Sequence, residues 1–260
     1  MTADMALKAG SASGRASEAA AGRRLTALDS LRGIAILLVV IGHYVPGRLV
    51  EGPLASLLRP FAVGGVVLFF LLSGFLIERN LLRQPDPVAY ALRRAFRILP
   101  AYWLCLLVLL IVHRGFMGQT DFAAPRDFIA NALLMTDIFR APELSAVFWT
   151  LLIESKFYLL APFLTLGGRR AIVAAPFVAV AANAIILVSR GAASNLLTYL
   201  TFCLAGMNFA LWHRRELSNA MLVIIVAMAA AAIGIFSPYV KAGLVVFTIL
   251  NAAALEYALH

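Results

Sequence analysis

The chain has 260 residues, of which 62% are hydrophobic and only 13% charged, with a mean hydropathy of +0.90 and a net charge of +9. Soluble domains run at about 45–50% apolar and about 25% charged, so this composition excludes an ordinary soluble fold and predicts an all-α, polytopic transmembrane bundle. The basic residues lie in short loops between apolar runs, as membrane topology is written, which argues against a nucleic-acid partner.

Residues 1–25 are rich in Ala, Ser and Gly and carry Lys8, Arg15, Arg23 and Arg24, the composition of a disordered basic tail. The apolar run that follows is too long for a signal peptide. It leads into His43-Tyr44-Val45-Pro46 rather than a small-residue cleavage site, so it reads as an uncleaved first span. Residues 26–260 then form one transmembrane domain.

Eight apolar segments, at about 28–46, 60–78, 98–114, 147–166, 171–189, 194–212, 219–237 and 240–259, come close to the ~20 residues that cross the hydrocarbon. The stretch 127–139, apolar but broken by charge, reads as a short interfacial helix on the outer side. With the N-terminus inside, thirteen Lys and Arg fall on the inner side and seven on the outer, while Arg32 and Lys156 fall within spans. That bias predicts a cytoplasmic N-terminus. Cys105 and Cys203 both sit in apolar runs and read as small core residues, and the four histidines show no metal-ligand spacing.

The first span, LDSLRGIAILLVVIGHY, places Arg32 and His43 eleven residues apart. A helix turns ~100° per residue, so both fall on one face, about 16 Å apart along the axis, with Asp29 on much the same side. Ionisable groups inside a membrane are costly and mark function by default. His43, about 22 Å up the span, could serve as a general base, or could simply hydrogen-bond a neighbouring helix.

Three further stretches carry chemistry. FWTLLIESKFYLLAP, residues 148–162, holds Glu154 and Lys156 in an apolar run. Glu154 comes out about 10 Å deep and His43 about 8 Å deep, which predicts a His43–Glu154 contact that orients the imidazole; the other reading is a Glu154–Lys156 pair or a snorkelling charge. Arg93, Arg94 and Arg97 precede the third span and could fork onto the phosphates of a nucleotide-like molecule, or could anchor topology against anionic lipid. Leu72-Ser73-Gly74-Phe75-Leu76, with Gly64-Gly65 upstream, reads as a close-packing surface, and Ser73 lacks the setting of a hydrolase nucleophile.

In order and spacing these stretches resemble the membrane-bound acyltransferase-3 family: LDSLRGIA with His43 eleven after Arg32, then FFLLSGFLI, RRAFRILPAYW and FWTLLIESKFYLLAP. The resemblance covers residues 28–162; beyond about 166 it rests on apolar spans alone. It implies an inner-membrane enzyme that moves an acyl group, commonly acetyl from acetyl-CoA, onto a hydroxyl of a cell-envelope glycan or lipid-linked saccharide, without a metal. It implies His43 as base or nucleophile with Arg32 as its partner, Glu154 from the fourth motif, and the arginines of the basic loop (Arg93, Arg94, Arg97) at the donor. The chain departs from the family pattern at Thr150, where serine is usual, and at Ser155 and Lys156, where a second acidic residue often follows the glutamate. It offers about eight spans where members have about ten, as a short or truncated member would. The rivals are a transporter or flippase of envelope precursors, and a degenerate relative without catalysis.

Overall fold

A computed structural model describes residues 27–45, 49–51, 53–83, 86–115, 125–145, 147–236 and 251–256. The N-terminal tail and most of the 240–259 segment lie outside the described residues.

The architecture is helical throughout its long elements: α1 (Ala27–Tyr44), α2 (Pro53–Arg83), α3 (Pro87–Gly115), α4 (Pro125–Ala132), α5 (Thr136–Phe139), α6 (Phe148–Leu166), α7 (Gly168–Arg190), α8 (Asn195–His213), α9 (Asn219–Phe236) and a helical stretch at 251–256. Among the described residues, six helices are long and apolar enough to cross a membrane: α1, the Pro60–Arg83 part of α2, α3 as far as Val112, α7, α8 and α9. The 19-residue α6 is long enough to span, but its composition, with Glu154 and Lys156 inside, keeps it out of that set. The outer stretch expected as one interfacial helix is two short ones, α4 and α5, separated at Leu134, whose φ of 54° is left-handed.

Local chemistry starts the third helix cleanly. Asp86 caps α3, its Oδ1 accepting from Val88 N at 2.9 Å and Ala89 N at 3.2 Å, with Pro87 at the first helical position, where no N–H is required.

The centre of the bundle is α8, which packs on α2, α6, α7 and α9 and is buried almost continuously from Thr198 to Leu211. Lipid offers no hydrophobic reason for helices to associate, so close approach and hydrogen bonds must hold them. Gly74 and Gly206 supply the approach between α2 and α8. A methyl group on Gly74 would come within 1.9 Å of the Cys203 carbonyl oxygen, and one on Gly206 within 2.1 Å of the Leu71 carbonyl oxygen. The packing role expected of the Leu72–Leu76 stretch is therefore carried by Gly74. Asn208 joins α7 to α8, donating to the carbonyls of Ile172 (3.0 Å) and Leu204 (2.9 Å). Asn183 donates to Thr198 Oγ1 at 2.9 Å.

On α1 the buried residues are Leu28, Ala35 and Gly42, one seam at seven-residue spacing. Leu31, Arg32, Leu38, Val39 and Ile41 flank this seam half-buried, while Ile34, Ile36, Leu37 and Val40 are exposed, as are Leu104, Leu107, Val108 and Ile111 on α3. These are faces for acyl chains. Cys203 is buried as expected, whereas Cys105 lies on the exposed side of α3 and is not a core residue.

Candidate active site

The seam of α1 sets the geometry of everything polar in the bundle. Gly42 sits where a methyl would meet Ala62 N at 2.4 Å, and Gly65 where one would meet the Ala35 carbonyl oxygen at 2.4 Å and Val39 Cγ2 at 2.9 Å. Rising numbers on α1 meet falling numbers on α2, so the two run antiparallel. That register places His43 near Ala62 and brings Arg32 to about the level of Ser73. Ala62 and Ser73 are eleven residues apart on one helix, or about 16 Å. The polar groups accordingly form two layers.

The outer layer is a cavity of about 1320 Å³. His43 lines it with Gly42, Pro60, Ala62, Thr136, Asp137, Arg140, Glu143, Trp149, Ser194, Asn195 and Tyr199, among others. The His43 ring makes a 2.9 Å contact between Nδ1 and the Val39 carbonyl oxygen. A carbonyl oxygen only accepts, so Nδ1 is the donor of this bond, and in the neutral imidazole the lone pair then belongs to Nε2. Trp149 and Tyr199 stand with ring centroids 4.8 Å apart on another wall.

One side of the cavity is α5 and the loop after it, pinned by a buried asparagine of α4. Asn131 Nδ2 donates to the carbonyls of Asp127 and Pro142, both at 2.9 Å, and its Oδ1 accepts from Leu144 N at 3.1 Å. Tyr102 and Trp103 of α3 donate to the carbonyls of Asn131 (2.7 Å) and Ala132 (2.9 Å). On this wall Lys156 pairs with Asp137, not with Glu154. Partial burial, and then the nearby charge of Asp137, hold the Glu143 carboxyl above its ordinary range.

The inner layer is closed. Glu154 is only 4% exposed, and its Oε1 accepts hydrogen bonds from the fully buried Ser73 hydroxyl at 3.1 Å and from the Tyr158 hydroxyl. The Arg94 guanidinium, 9% exposed, lies between two rings, 5.6 Å from the centroid of Tyr90 and 5.3 Å from that of Tyr158. Arg32 is within electrostatic range of Glu154, Tyr158, Arg97 and Asp29, and its buried Nε has no hydrogen-bond partner among the described residues. Arg93 and Arg97 are exposed.

The expected His43–Glu154 contact is not formed. Similar depth counted along two separate helices says nothing of the direction in which each side chain leaves its own helix. Glu154 points to Ser73 on α2, while its neighbours Leu152 and Ile153 line the cavity. Sequence reasoning also passed over Tyr158, Tyr90 and the polar role of Ser73. A signal existed for Tyr158, since four residues after Glu154 is one helical turn.

Below this layer α2, α6 and α8 are tied together at the inner edge. Glu78, 1% exposed, accepts from Thr165 Oγ1 and from Arg214 Nη2, both at 3.1 Å. Arg214 also donates to Glu216 from Nε at 2.8 Å. Burial alone would lower the pKa of Arg214, but the bonds to Glu216 and Glu78 more than reverse this and hold it above its ordinary range.

Comparison with known proteins gives a family model, described as an acyltransferase domain (acyltransferase-3), that matches residues 25–257. Nodulation protein 10 of Rhizobium leguminosarum bv. viciae is 29% identical over 128 residues. That match covers 42% of this chain and 35% of that protein, so the chain aligns with well under two thirds of the relative's length. No solved structure matches. A family match over nearly the whole chain, on a bundle of membrane-spanning helices, settles the class: the chain belongs to the acyltransferase-3 family of membrane acyltransferases.

Proposed function

We propose that this membrane acyltransferase takes an acyl group, acetyl in the simplest case, from acyl-CoA on the cytoplasmic side and delivers it to a hydroxyl of a cell-envelope glycan or lipid-linked saccharide at the outer face of the inner (plasma) membrane. The observation that carries the reading is the separation of the layers. His43 opens onto a wide outer cavity, and a cationic, closed layer around Arg32 lies about 16 Å beneath it. A donor whose charged end is held at the inner side needs an arm of about that length to present its thioester to the imidazole.

In the reaction His43 Nε2 takes the proton of the acceptor hydroxyl as its oxygen attacks the thioester carbonyl. The new C–O bond forms, the C–S bond breaks, and the proton passes from the imidazolium to the departing thiolate. In the covalent variant Nε2 is itself the nucleophile, giving an acyl-imidazole that the acceptor then opens. The hydrogen bond from Nδ1 to Val39 serves both, because it leaves Nε2 free. Arg32, with an unspent Nε donor, and the exposed Arg93 and Arg97 at the basic end of α3 supply the positive charge for the donor, with the buried Arg94 behind them.

The test uses the full chain in membranes supplied with labelled acetyl-CoA. The wild type transfers label to envelope glycan, and His43→Ala does not while still binding coenzyme A. Equal transfer by both removes His43 from the chemistry. A wild type that transfers nothing yet builds a solute gradient makes the protein a transporter.

A further inference from the structure

Arg93, Arg94 and Arg97 are chemically alike in sequence, but the fold treats them differently. Arg93 and Arg97 are four residues apart, on one exposed face of α3 at its inner end. Arg94 turns away from that face into the bundle. Its guanidinium carbon lies over two rings, 5.6 Å from the centroid of Tyr90 and 5.3 Å from that of Tyr158. The Tyr158 hydroxyl is in turn committed to Glu154 Oε1, the oxygen that Ser73 also meets. An arginine held this way cannot swing out to fork onto a phosphate without uncovering two rings and leaving a buried carboxylate facing one cation fewer. Its natural work is to be a fixed charge.

What that fixed charge serves is Arg32. The electrostatic neighbours of Arg32 are Arg97, Tyr158, Glu154 and Asp29, so Arg94 acts on it through Tyr158 and Glu154, and Arg32 Nε is a buried donor with no partner among the described residues. A desolvated donor left unspent costs free energy unless something arrives to accept it. Two interior arginines against one carboxylate also leave the layer with an excess positive charge.

We propose that Arg94 is a positioning residue, which with Tyr90, Tyr158, Glu154 and Ser73 holds Arg32 ready for the donor's arm, and that the donor's phosphates are met by Arg97 and Arg93 instead. This rests on the acyl-CoA reading above. It divides the basic end of α3 into an outer pair that governs affinity and an inner residue that governs turnover. The division is visible in salt dependence. Exposed charges are screened by salt and a buried cluster much less.

The experiment uses the full chain in nanodiscs with coenzyme A as the binding probe and acetyl-CoA as the turnover probe, with thermal midpoints recorded for every variant. Arg97→Ala is expected to weaken coenzyme A binding about tenfold and to flatten its dependence on salt. Tyr158→Phe keeps the ring over Arg94 and removes only the hydrogen bond to Glu154. It is expected to bind coenzyme A within about twofold of wild type, while turnover at saturating donor falls about tenfold to a hundredfold. Arg94→Lys is the second variant should Tyr158→Phe fold poorly, and the same split is expected for it. Equal loss of coenzyme A affinity in Arg94→Lys and Arg97→Ala overturns the division while leaving the acyl-CoA reading standing. Full turnover in both Tyr158→Phe and Arg94→Lys removes the positioning role. If the wild type itself binds no coenzyme A, the donor reading fails and the division with it.

Discussion

The two polar layers of this bundle hold their charges in opposite ways. Around Glu154 the polar groups are turned inward: Ser73 and Tyr158 are spent on one carboxylate oxygen and Arg94 lies buried against two rings. Around His43 they face open space, with Asp137, Arg140, Glu143, Trp149 and Asn195 arranged about a cavity large enough for more than one sugar ring. A low-dielectric setting makes each unpaired group expensive, so the inner layer is nearly fully satisfied and the outer one, open to water, need not be. The lesson is that charge inside a membrane protein serves as framework where it is spent and as chemistry where it is left available. Among the described residues, Arg32 Nε and Tyr90 Oη are the buried atoms of the inner layer without a hydrogen-bond partner, and His43 lines the open cavity of the outer one.

The sharpest way to break this comparison is to remove one charged group from each layer. Glu154→Ala strands Arg94 and Arg32 in the interior, and breaking a buried charged network of this kind costs about 3–5 kcal/mol. It is expected to depress both the thermal midpoint in detergent and the transfer rate. His43→Ala, at an exposed ring with one hydrogen bond, should leave the midpoint near wild type while transfer is lost. Matching midpoints for the two variants would show that the inner layer is no more structural than the outer.

A second contrast concerns packing. Gly74→Ala forces a methyl to within 1.9 Å of the Cys203 carbonyl oxygen, a backbone atom that cannot move aside. About 3 kcal/mol or more of destabilisation follows, above the usual overpacking cost. Gly33→Ala, which meets nothing within 4 Å, is the control on α1 and should be neutral or mildly stabilising through helix propensity. A Gly74→Ala protein as stable as the control would mean that the α2–α8 approach is not what holds the bundle together.

The smallest effect belongs to Glu143. Partial burial and Asp137 hold its carboxyl above the ordinary value of 4.5, so folding favours the protonated form. The favourable contribution is fully present below that ordinary value and is lost as pH rises through the folded-state value. Glu143→Gln keeps a neutral side chain at every pH. It should be slightly more stable than wild type at neutral pH, with the difference closing on acidification, and solvent at this exposed site keeps the gain small. Unfolding midpoints across a pH series check it, and a difference that instead widens on acidification would reverse the sign.

Much of the site was legible along single helices. Arg32 and His43 share a face because eleven residues nearly close three turns, and the register of α1 on α2 keeps the ~16 Å between them. The pairing of side chains between helices was not legible. Depth along the helices favours His43 for Glu154, with Lys156 as the alternative, and Glu154 meets neither. Lys156, two residues on and so about 200° around the helix, goes to Asp137 on the outer wall. Nor could three arginines in five residues be told apart before α3 was rotated against α6.

By itself the sequence determined the class, the all-helical polytopic character, the likeness to acyltransferases and the axial spacing of Arg32 and His43, because composition and a 1.5 Å rise act along one chain segment at a time. Only the tertiary structure decided which charges are framework and which are free: that Glu154 belongs with Ser73, Tyr158 and the arginines, that Arg94 is enclosed while Arg93 and Arg97 are not, and that His43 opens onto a cavity walled by α5 and the loop after it. The physical reason is that pairing and burial depend on helix rotation and on close approach at glycines such as Gly74 and Gly206, set between segments far apart in the chain.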